Sequence, residues 1–243
     1  LGLMSGSSMD GVDLSIIKSD GHDEFLSVFN VYREFDDEIY QELTNLRDKM
    51  LDVNDLKVYS DILNDLEKKF TLFNAKIISE VISNFDQEVD LIGFHGQTIF
   101  HKANIKISKQ LGDGKLLSSL TKKIVINNFR QNDLNHGGEG APLTPIFHNL
   151  ISKIISKKFQ VKMPINIINI GGITNVTQVE NYSSDFKKNF FAYDIAPGNC
   201  LIDQWVRNHS KFKFDEAGKY AASGKVDNLI LNQAIDNFEI KYF

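Results

Sequence analysis

The first thirteen residues concentrate side chains that could do phosphate chemistry. Residues 2–13, GLMSGSSMDGVD, combine glycines, hydroxyl side chains and carboxylates in one short stretch. Gly6 and Gly11 leave room for a ligand to approach the backbone, so several N–H groups can face one anion. Ser5, Ser7 and Ser8 add hydroxyl donors. The composition of this segment therefore predicts a phosphate-binding loop.

Two carboxylates stand in the same segment. Asp10 and Asp13 would repel a bare polyphosphate unless they hold a divalent cation or orient the group that receives a phosphoryl. Asp10 is thus a candidate Mg²⁺ ligand, and the chemistry indicated is phosphoryl transfer. The segment is not a Walker A loop, because no Gly-Lys-Ser/Thr follows the glycines, and it lacks the dinucleotide fingerprint. A polar turn between two strands is the alternative interpretation.

The elements that would position this loop alternate between strands and helices. Apolar–polar alternation predicts strands at 14–18 and 24–35. Apolar residues spaced by three or four then predict amphipathic helices between 37 and 84. Short apolar runs at 90–93 and 123–127 predict two further strands, each followed by a polar loop. This order predicts an α/β fold.

The second half of the chain repeats the opening pattern. Residues 164–179 contain an apolar run, then Gly171 and Gly172, then another strand-like run. Two strand–glycine–strand segments predict duplicated α/β lobes that each present a phosphate loop to a shared cleft. We expect a first lobe at 1–128 and a second at 129–243.

The bulk composition limits the classes of partner. The 243 residues are 42% hydrophobic and 24% charged, as in a folded globular protein, and the net charge of -5 argues against a nucleic-acid partner. No apolar run reaches the ~18–20 residues of a membrane span, and the first residues do not show the basic-then-apolar pattern expected of a signal peptide. The single cysteine, Cys200, excludes a disulfide framework. We therefore expect a cytoplasmic protein with small-molecule partners, without nucleic acid or membrane.

Five polar blocks follow one another along the chain. They are GLMSGSSMDGVD at 2–13, GFHGQTIFH at 93–101, NFRQNDLNHGGEGAPLTPIFH at 128–148, NIGGITNVT at 169–177 and YDIAPGNCLIDQW at 193–205. In number, order and spacing they resemble the 1,6-anhydro-N-acetylmuramic acid kinase family over essentially the whole chain. That family belongs to the sugar kinase, Hsp70 and actin superfamily. The resemblance implies two ribonuclease-H-like (actin-like ATPase) domains flanking a cleft.

The resemblance also implies an activity. It is an ATP- and Mg-dependent kinase that hydrolytically opens 1,6-anhydro-N-acetylmuramic acid and phosphorylates O6, giving N-acetylmuramate 6-phosphate and ADP in peptidoglycan recycling. Family members extend further at the C-terminus, so the second domain is expected to be incomplete and the isolated chain to bind ATP weakly. A homodimer is expected by family analogy. The alternatives are a kinase of another amino sugar and a non-catalytic sugar-sensing protein of the same fold.

By the same resemblance, Asp194 in the YDIAPGN block is the catalytic base that activates water against the anomeric carbon. A positioned carboxylate in such a role contributes ~10²–10⁴ in rate. A helix-capping role for Asp194 is the alternative. Nucleotide contacts are assigned to Gly6, Ser7, Ser8, Met9, Asp10, Gly11, Val12 and Asp13 in the first loop and to Gly171, Gly172 and Asn175 in the second.

Sugar contacts are assigned, again by resemblance, to His95, Gln97, Arg130, Asp133 and Glu139. The planar fork of Arg130 suits either the lactyl carboxylate of the sugar or developing phosphoryl charge. Asp133 is either a substrate residue or a salt-bridge partner of Arg130. His95 has an ordinary loop role as its alternative. Glu139 stands where much of the family has Gln, which adds a negative charge near the substrate.

Overall fold

A computed structural model of the chain describes residues 1–181 and 189–237 and shows a mixed α/β protein, as predicted. Its backbone contacts divide the chain into two compact units. The first comprises Leu1–Asn169 and Asn175–Ile195, and the second comprises Ile170–Thr174 and Ala196–Phe243. The two lobes expected at 1–128 and 129–243 follow a different division and stay a prediction.

The first unit is built on a mixed six-stranded sheet. Its strands are β1 (Gly2–Ser5), β2 (Gly11–Ser19), β3 (Phe25–Glu34), β4 (Leu91–Lys102), β5 (Ile107–Leu111) and β6 (Ile124–Asn127). The order is β3-β2-β1-β4-β5, and β6 pairs with β4. The pairs of β4 with β1 and with β6 are parallel, whereas β1–β2, β2–β3 and β4–β5 are antiparallel.

Six α-helices accompany these strands along the chain. They are α1 (Asp37–Lys49), α2 (Asp55–Val58), α3 (Ser60–Ser83), α4 (Gly114–Thr121), α5 (Phe129–Asn135) and α6 (Pro145–Phe159). The Asp36 side chain caps α1 by accepting from Ile39 N–H, and Asp113 caps α4 in the same way. The apolar face of α3 is buried against the sheet, where the Phe70 and Phe94 rings stack with centroids 6.1 Å apart. This core fixes the strands whose ends carry the polar blocks.

The remaining elements form a three-stranded sheet and short helices. The strands are β7 (Ile165–Ile170), β8 (Ile173–Val179) and β9 (Phe190–Pro197), in the order β7-β8-β9. The helices are α7 (Cys200–His209), α8 (Lys219–Ser223) and α9 (Asn228–Asp236). The predicted strand–glycine–strand pattern around Gly171 and Gly172 is therefore confirmed. Among the described helices, none has the length and apolar content needed to cross a lipid bilayer.

The second polar block is not the loop that the sequence predicted. Strand β4 continues through it to Lys102, and the pairing register with β1 shifts inside the block. Gly96 makes this possible, because it adopts φ +76° and a Cβ there would lie 2.3 Å from the Leu111 carbonyl oxygen. His95 and Gln97 therefore lie on a strand at an irregularity and not on a turn.

The third polar block also begins differently from the prediction. Residues 129–135 form α5, although the sequence indicated a polar loop directly after the strand at 123–127. The helix is mostly polar and buries only Leu134, so it lacks the apolar stripe by which a helix is found in a sequence. Arg130 and Asp133 are consequently held on a helix.

Candidate active site

The first glycine loop connects β1 to β2 and turns at Met9. Met9 N–H donates to Gly6 O at 3.2 Å, and Met9 adopts φ +57°. Met9 and Val12 are each 1% exposed and belong to the core, so their assigned contacts with the nucleotide stay predictions. Ser7 and Ser8 are exposed. The loop thus presents the Ser7 and Ser8 hydroxyls to solvent, while Met9 and Val12 hold it in the core.

Two buried side chains, Ser5 and Gln97, together hold both ends of this loop. Ser5 Oγ lies 2.9 Å from Gly11 O and also contacts Gln97 Oε1, so two acceptors share its one proton. Gln97 Nε2 donates to Gly6 O at 3.1 Å. Gln97 is 0% exposed and Ser5 is 3% exposed. In this structure the Gln97 amide therefore bonds the loop, while its contact with a sugar stays a prediction.

The two glycines of the loop have different surroundings. A Cβ on Gly11 would lie 2.4 Å from Arg33 O and 2.6 Å from the Tyr32 ring, whereas a Cβ on Gly6 would meet only Ser8 Oγ at 3.8 Å. Gly11 is therefore required by the packing of β2 on β3. Gly6 has open space, as the approach of a ligand would require.

Negative charge accumulates at the end of the loop. Asp10 accepts a hydrogen bond from Ser8 Oγ, and its charge acts on the Tyr32 hydroxyl. Burial and the nearby charge of Asp10 raise the pKa of Asp13, and burial together with the neighbouring carboxylates raises the pKa of Tyr32. A bound cation would relieve this repulsion. Within residues 1–181 and 189–237, no group of three or more His, Cys, Asp or Glu side chains is arranged to hold a metal.

Arg130 and His95 form the centre of a second network. Arg130 Nε donates to His95 Nε2 at 2.8 Å, and Arg130 Nη1 donates to Gly140 O at 2.9 Å. His95 Nδ1 lies 2.7 Å from Gly96 O. Because an arginine only donates, Nε2 must accept, which assigns the imidazole proton to Nδ1, the atom facing the Gly96 carbonyl.

Asp133 holds the same glycine loop from the other side. Its Oδ2 accepts from Gly140 N–H at 2.8 Å, and a Cβ on Gly138 would lie 2.0 Å from that oxygen. The salt bridge with Arg130 that the sequence left open is absent, since among the described residues no carboxylate lies within ion-pair distance of Arg130. Arg130 and Asp133 are instead linked through Gly140. Glu139 is exposed beside it.

Burial sets the charge states in this network. It lowers the pKa of His95 and of His101, and the Arg130 charge lowers both further. Burial also lowers the pKa of Arg130 itself, although a guanidinium stays protonated in proteins. The network therefore contains one cation held by two neutral acceptors.

A cavity of about 990 Å³ in the first unit joins several of the predicted residues. Asp13, His95 and Asp133 line it together with Gly2, Leu3, Met4, Ser15, Ile17, Phe25, Asn30, Gly93, Phe129, Asn132, His136, Leu143, Thr144, Ile146 and Phe147. Its walls are mainly apolar with a few converging polar groups, as in small-molecule sites, and its volume lies at the upper end of their ~300–1,000 Å³ range.

The sequence reasoning missed Asn132 and His136 as lining residues. They follow Phe129 and Asp133 at helical spacing, so all four share one face of the chain segment at α5. That spacing of three and four was readable in the sequence once the segment was known to be helical. The missed helix therefore explains the missed residues.

The second glycine loop is joined to the fifth polar block within the second unit. Gly198 N–H donates to Gly172 O at 2.8 Å, and Asn199 N–H donates to Gly171 O at 2.7 Å. A Cβ on Gly198 would lie 2.2 Å from Gly171 O, so only glycine fits there. The Gly171 and Gly172 carbonyls thus hold the start of α7.

Comparison with known proteins identifies the family. The model of the family described as anhydro-N-acetylmuramic acid kinase matches residues 1–243. The chain belongs to the anhydro-N-acetylmuramic acid kinase family. It is 54% identical over 239 residues to the anhydro-N-acetylmuramic acid kinase of Pelagibacter ubique (strain HTCC1062), which covers 98% of this chain and 62% of that relative.

More distant members of the anhydro-N-acetylmuramic acid kinase family are also similar. The chain is 35% identical over 233 residues to the enzyme of that name from Brucella canis (strain ATCC 23365 / NCTC 10854 / RM-666), covering 93% of this chain and 60% of the relative. It is 34% identical over 234 residues to that of Agrobacterium fabrum (strain C58 / ATCC 33970), with 93% and 60% covered. The chain spans about three-fifths of the length of these relatives.

Asp194, to which the family resemblance assigns the role of catalytic base, lies on β9. Asp194 is exposed, three residues before the end of the strand, and it is not among the residues that line the cavity of the first unit. Asn175, assigned to the nucleotide, is half-buried on β8. The structure thus brings together Asp13, His95 and Asp133, while the roles of Asp194 and Asn175 stay predictions.

Proposed function

We propose that this protein is an ATP-dependent kinase that opens 1,6-anhydro-N-acetylmuramic acid by hydrolysis and phosphorylates O6, in peptidoglycan recycling. The observation that carries the proposal is the family match over all 243 residues, with 54% identity to a relative of that name across 98% of the chain. The products are N-acetylmuramate 6-phosphate and ADP.

In the proposed reaction Asp194 takes a proton from the attacking water. Water forms a bond to the anomeric carbon, the bond between that carbon and O6 breaks, and O6 receives the γ-phosphoryl group as ADP leaves. A carboxylate that is exposed on a strand is free to accept that proton. A general base of this kind contributes ~10²–10⁴ in rate.

The sugar is proposed to occupy the cavity that His95 and Asp133 line. The family pattern adds Gln97, Arg130 and Glu139, which are not among the lining residues. The support is electrostatic. Arg130 is half-buried and bonded to neutral acceptors, so an anionic group such as the lactyl carboxylate would supply the counter-charge that these contacts do not. The apolar walls suit the carbon face of a bicyclic sugar.

The nucleotide phosphates are proposed to bind the two glycine loops. Gly6 leaves the backbone of the first loop open, and Ser7 and Ser8 expose hydroxyl donors there. Asp10 and Asp13 fit a Mg²⁺ ion, because magnesium is commonly held by one or two carboxylates together with substrate phosphates. Magnesium would neutralise phosphate charge there.

Three wider features complete the proposal. The chain would form two ribonuclease-H-like lobes, act in the cytoplasm and assemble as a homodimer. The first rests on the superfamily to which this kinase family belongs. The second is supported by the single cysteine of the sequence.

The test is ADP release from the chain completed with the part of the Pelagibacter ubique relative that it does not span, which we call the completed chain. We expect ADP only when 1,6-anhydro-N-acetylmuramic acid and Mg-ATP are both present. N-acetylglucosamine is the control sugar. Turnover of that sugar without turnover of the anhydro sugar would contradict the substrate assignment.

A further inference from the structure

We propose that His95 is a positioning residue: a neutral imidazole, protonated on Nδ1, that presents Nε2 to Arg130 and so orients the guanidinium for a substrate anion. The orientation of Arg130 follows from the structure, whereas the anion rests on the proposed function. His95 was expected to contact the sugar itself. The geometry points to an action through Arg130 instead.

Both nitrogens of the His95 ring are already engaged within the protein. Nε2 accepts from Arg130 Nε at 2.8 Å, and Nδ1 faces Gly96 O at 2.7 Å. Neutral imidazole has one donor and one acceptor, so these two contacts use its whole capacity. A sugar hydroxyl could bind His95 only by displacing one of them.

The guanidinium is held in one plane by two fixed acceptors on different elements. His95 lies on β4, and Gly140 lies in the loop after α5. Two of the five N–H groups of Arg130 are used in this way, which leaves three for a ligand. Because both acceptors are neutral and the group is half-buried, an anion bound there would supply the missing counter-charge.

Protonation of His95 would break this arrangement. A protonated imidazole offers a second N–H where Arg130 needs an acceptor, and it sets two positive charges side by side. Burial and the Arg130 charge lower the pKa of His95, which keeps the ring neutral near pH 7. Other titratable groups bear on the same region, namely Asp13 from β2, Asp133 from α5, His136 after α5 and His101 on β4.

A role of His95 through its charge and a role in positioning Arg130 predict opposite effects of acid on anion affinity. If His95 acted only by its charge, protonation would add a positive group and strengthen the binding of an anion. If His95 positions Arg130, protonation displaces the guanidinium and weakens that binding. The pH dependence of anion affinity therefore distinguishes the two.

The first experiment is ¹⁵N NMR of the histidines in the 243-residue chain at pH 7.5, which needs no substrate. We expect His95 as the Nδ1–H tautomer, and we expect the Arg130 Nε–H resonance to shift in His95→Phe but not in His148→Gln. His148 is a matched control because burial lowers its pKa too, while its Nδ1 bonds Thr177 Oγ1. An Nε2–H tautomer of His95 would overturn the proposal.

The second experiment is calorimetric titration with 1,6-anhydro-N-acetylmuramic acid from pH 7.5 to 4.5, where its carboxylate stays largely ionised. The wild-type affinity should fall by about tenfold or more on acidification, as expected for a lost hydrogen bond to a charged group. His95→Gln, which keeps a neutral acceptor, should bind within about threefold of wild type at pH 7.5 and lose the pH dependence, whereas His148→Gln should keep it.

The outcomes separate the two proposals. Equal pH dependence in wild type and His95→Gln, or tighter binding in acid, would overturn the positioning role. No binding of the sugar at any pH, together with the Nδ1–H tautomer and the Arg130 shift, would overturn the sugar assignment and support the positioning of Arg130.

Discussion

The two glycines of the first loop provide a matched pair for testing how the structure divides their roles. We predict that Gly11→Ala destabilises the chain and that Gly6→Ala does not. The Gly11 Cβ would lie 2.4 Å from Arg33 O and 2.6 Å from the Tyr32 ring, whereas ordinary contacts begin near 3.4 Å. The nearest atom to a Gly6 Cβ is 3.8 Å away.

The magnitude follows from which atoms can move. The exposed Tyr32 ring can swing aside, but Arg33 O belongs to the β2–β3 ladder, which continues into the bond from Phe35 N–H to Asp10 O at 2.9 Å. Overpacking costs about 1–3 kcal/mol and more where backbone must shift, so we expect about 3 kcal/mol for Gly11→Ala. For a chain of this size that lowers Tm by about 6–12 °C.

The assay is urea unfolding followed by circular dichroism, with thermal melts as a second measurement. Gly6→Ala should stay within about 1 kcal/mol of the wild type, since a glycine in open space with a permissible backbone tolerates alanine. In the completed chain Gly6→Ala should instead raise the KM for ATP. If Gly11→Ala lost less than about 0.5 kcal/mol, or both variants lost equal stability, the steric reasoning would be refuted.

Four further predictions address the proposed site. In the completed chain Asp194→Asn should lower kcat by at least ~10²-fold with little change in sugar affinity by calorimetry, and near-normal turnover would make Asp194 structural. Gln97→Glu should destabilise the chain by about 1–3 kcal/mol in urea, because a carboxylate cannot donate to Gly6 O. An unchanged midpoint would contradict the role of Gln97 in holding the first loop. Gly138→Ala should lower the free energy of sugar binding by more than it lowers the free energy of unfolding, because its Cβ would strike the Asp133 carboxylate. A larger loss in unfolding than in binding would argue for a purely structural loop. Acid should destabilise the chain. The lowered pKa values of three histidines give stability that is full above about pH 6.5 and is lost as the pH falls through their folded-state pKa values. A urea midpoint that is flat from pH 7 to 5 would contradict this, and so would a midpoint that rises, as the raised pKa of Asp13 alone would require. The histidines are His95, His101 and His148.

The sequence predicted the elements with strong periodicity. Strands β2 and β3 and the long helices α1 and α3 lie where alternation and three-to-four spacing placed them. The continuation of β4 and the helix α5 were missed for a common reason. Each depends on contacts that the spacing of apolar residues does not encode. The continuation of β4 depends on a glycine with positive φ that faces another strand, and α5 depends on a single buried leucine, Leu134.

The site was predictable as a set of residue types and less so as a set of roles. Asp13, His95 and Asp133 do line one cavity. The sequence did not indicate that the Gln97 amide would bond Ser5 and Gly6. A polar residue that bonds within the protein and one that binds a ligand can stand in the same kind of sequence. Only the hydrogen-bond partners distinguish them.

Sheet topology explains why three polar blocks that lie far apart in sequence meet in the first unit. Strand β4 is parallel to β1, where Ser5 pairs with Gln97, and parallel to β6, where Phe94 pairs with Asn127. Parallel neighbours send their carboxyl ends to the same edge of a sheet, so the chain after β1 and the chain after β6 emerge beside the middle of β4. The first glycine loop, the His95–Gln97 segment and the start of α5 with Arg130 are consequently neighbours.

A sequence shows that each block follows a strand but not which strands are parallel neighbours. The convergence therefore depends on the strand order, and the hydrogen bonds of Gln97 to the loop and of Arg130 to His95 are its direct consequences.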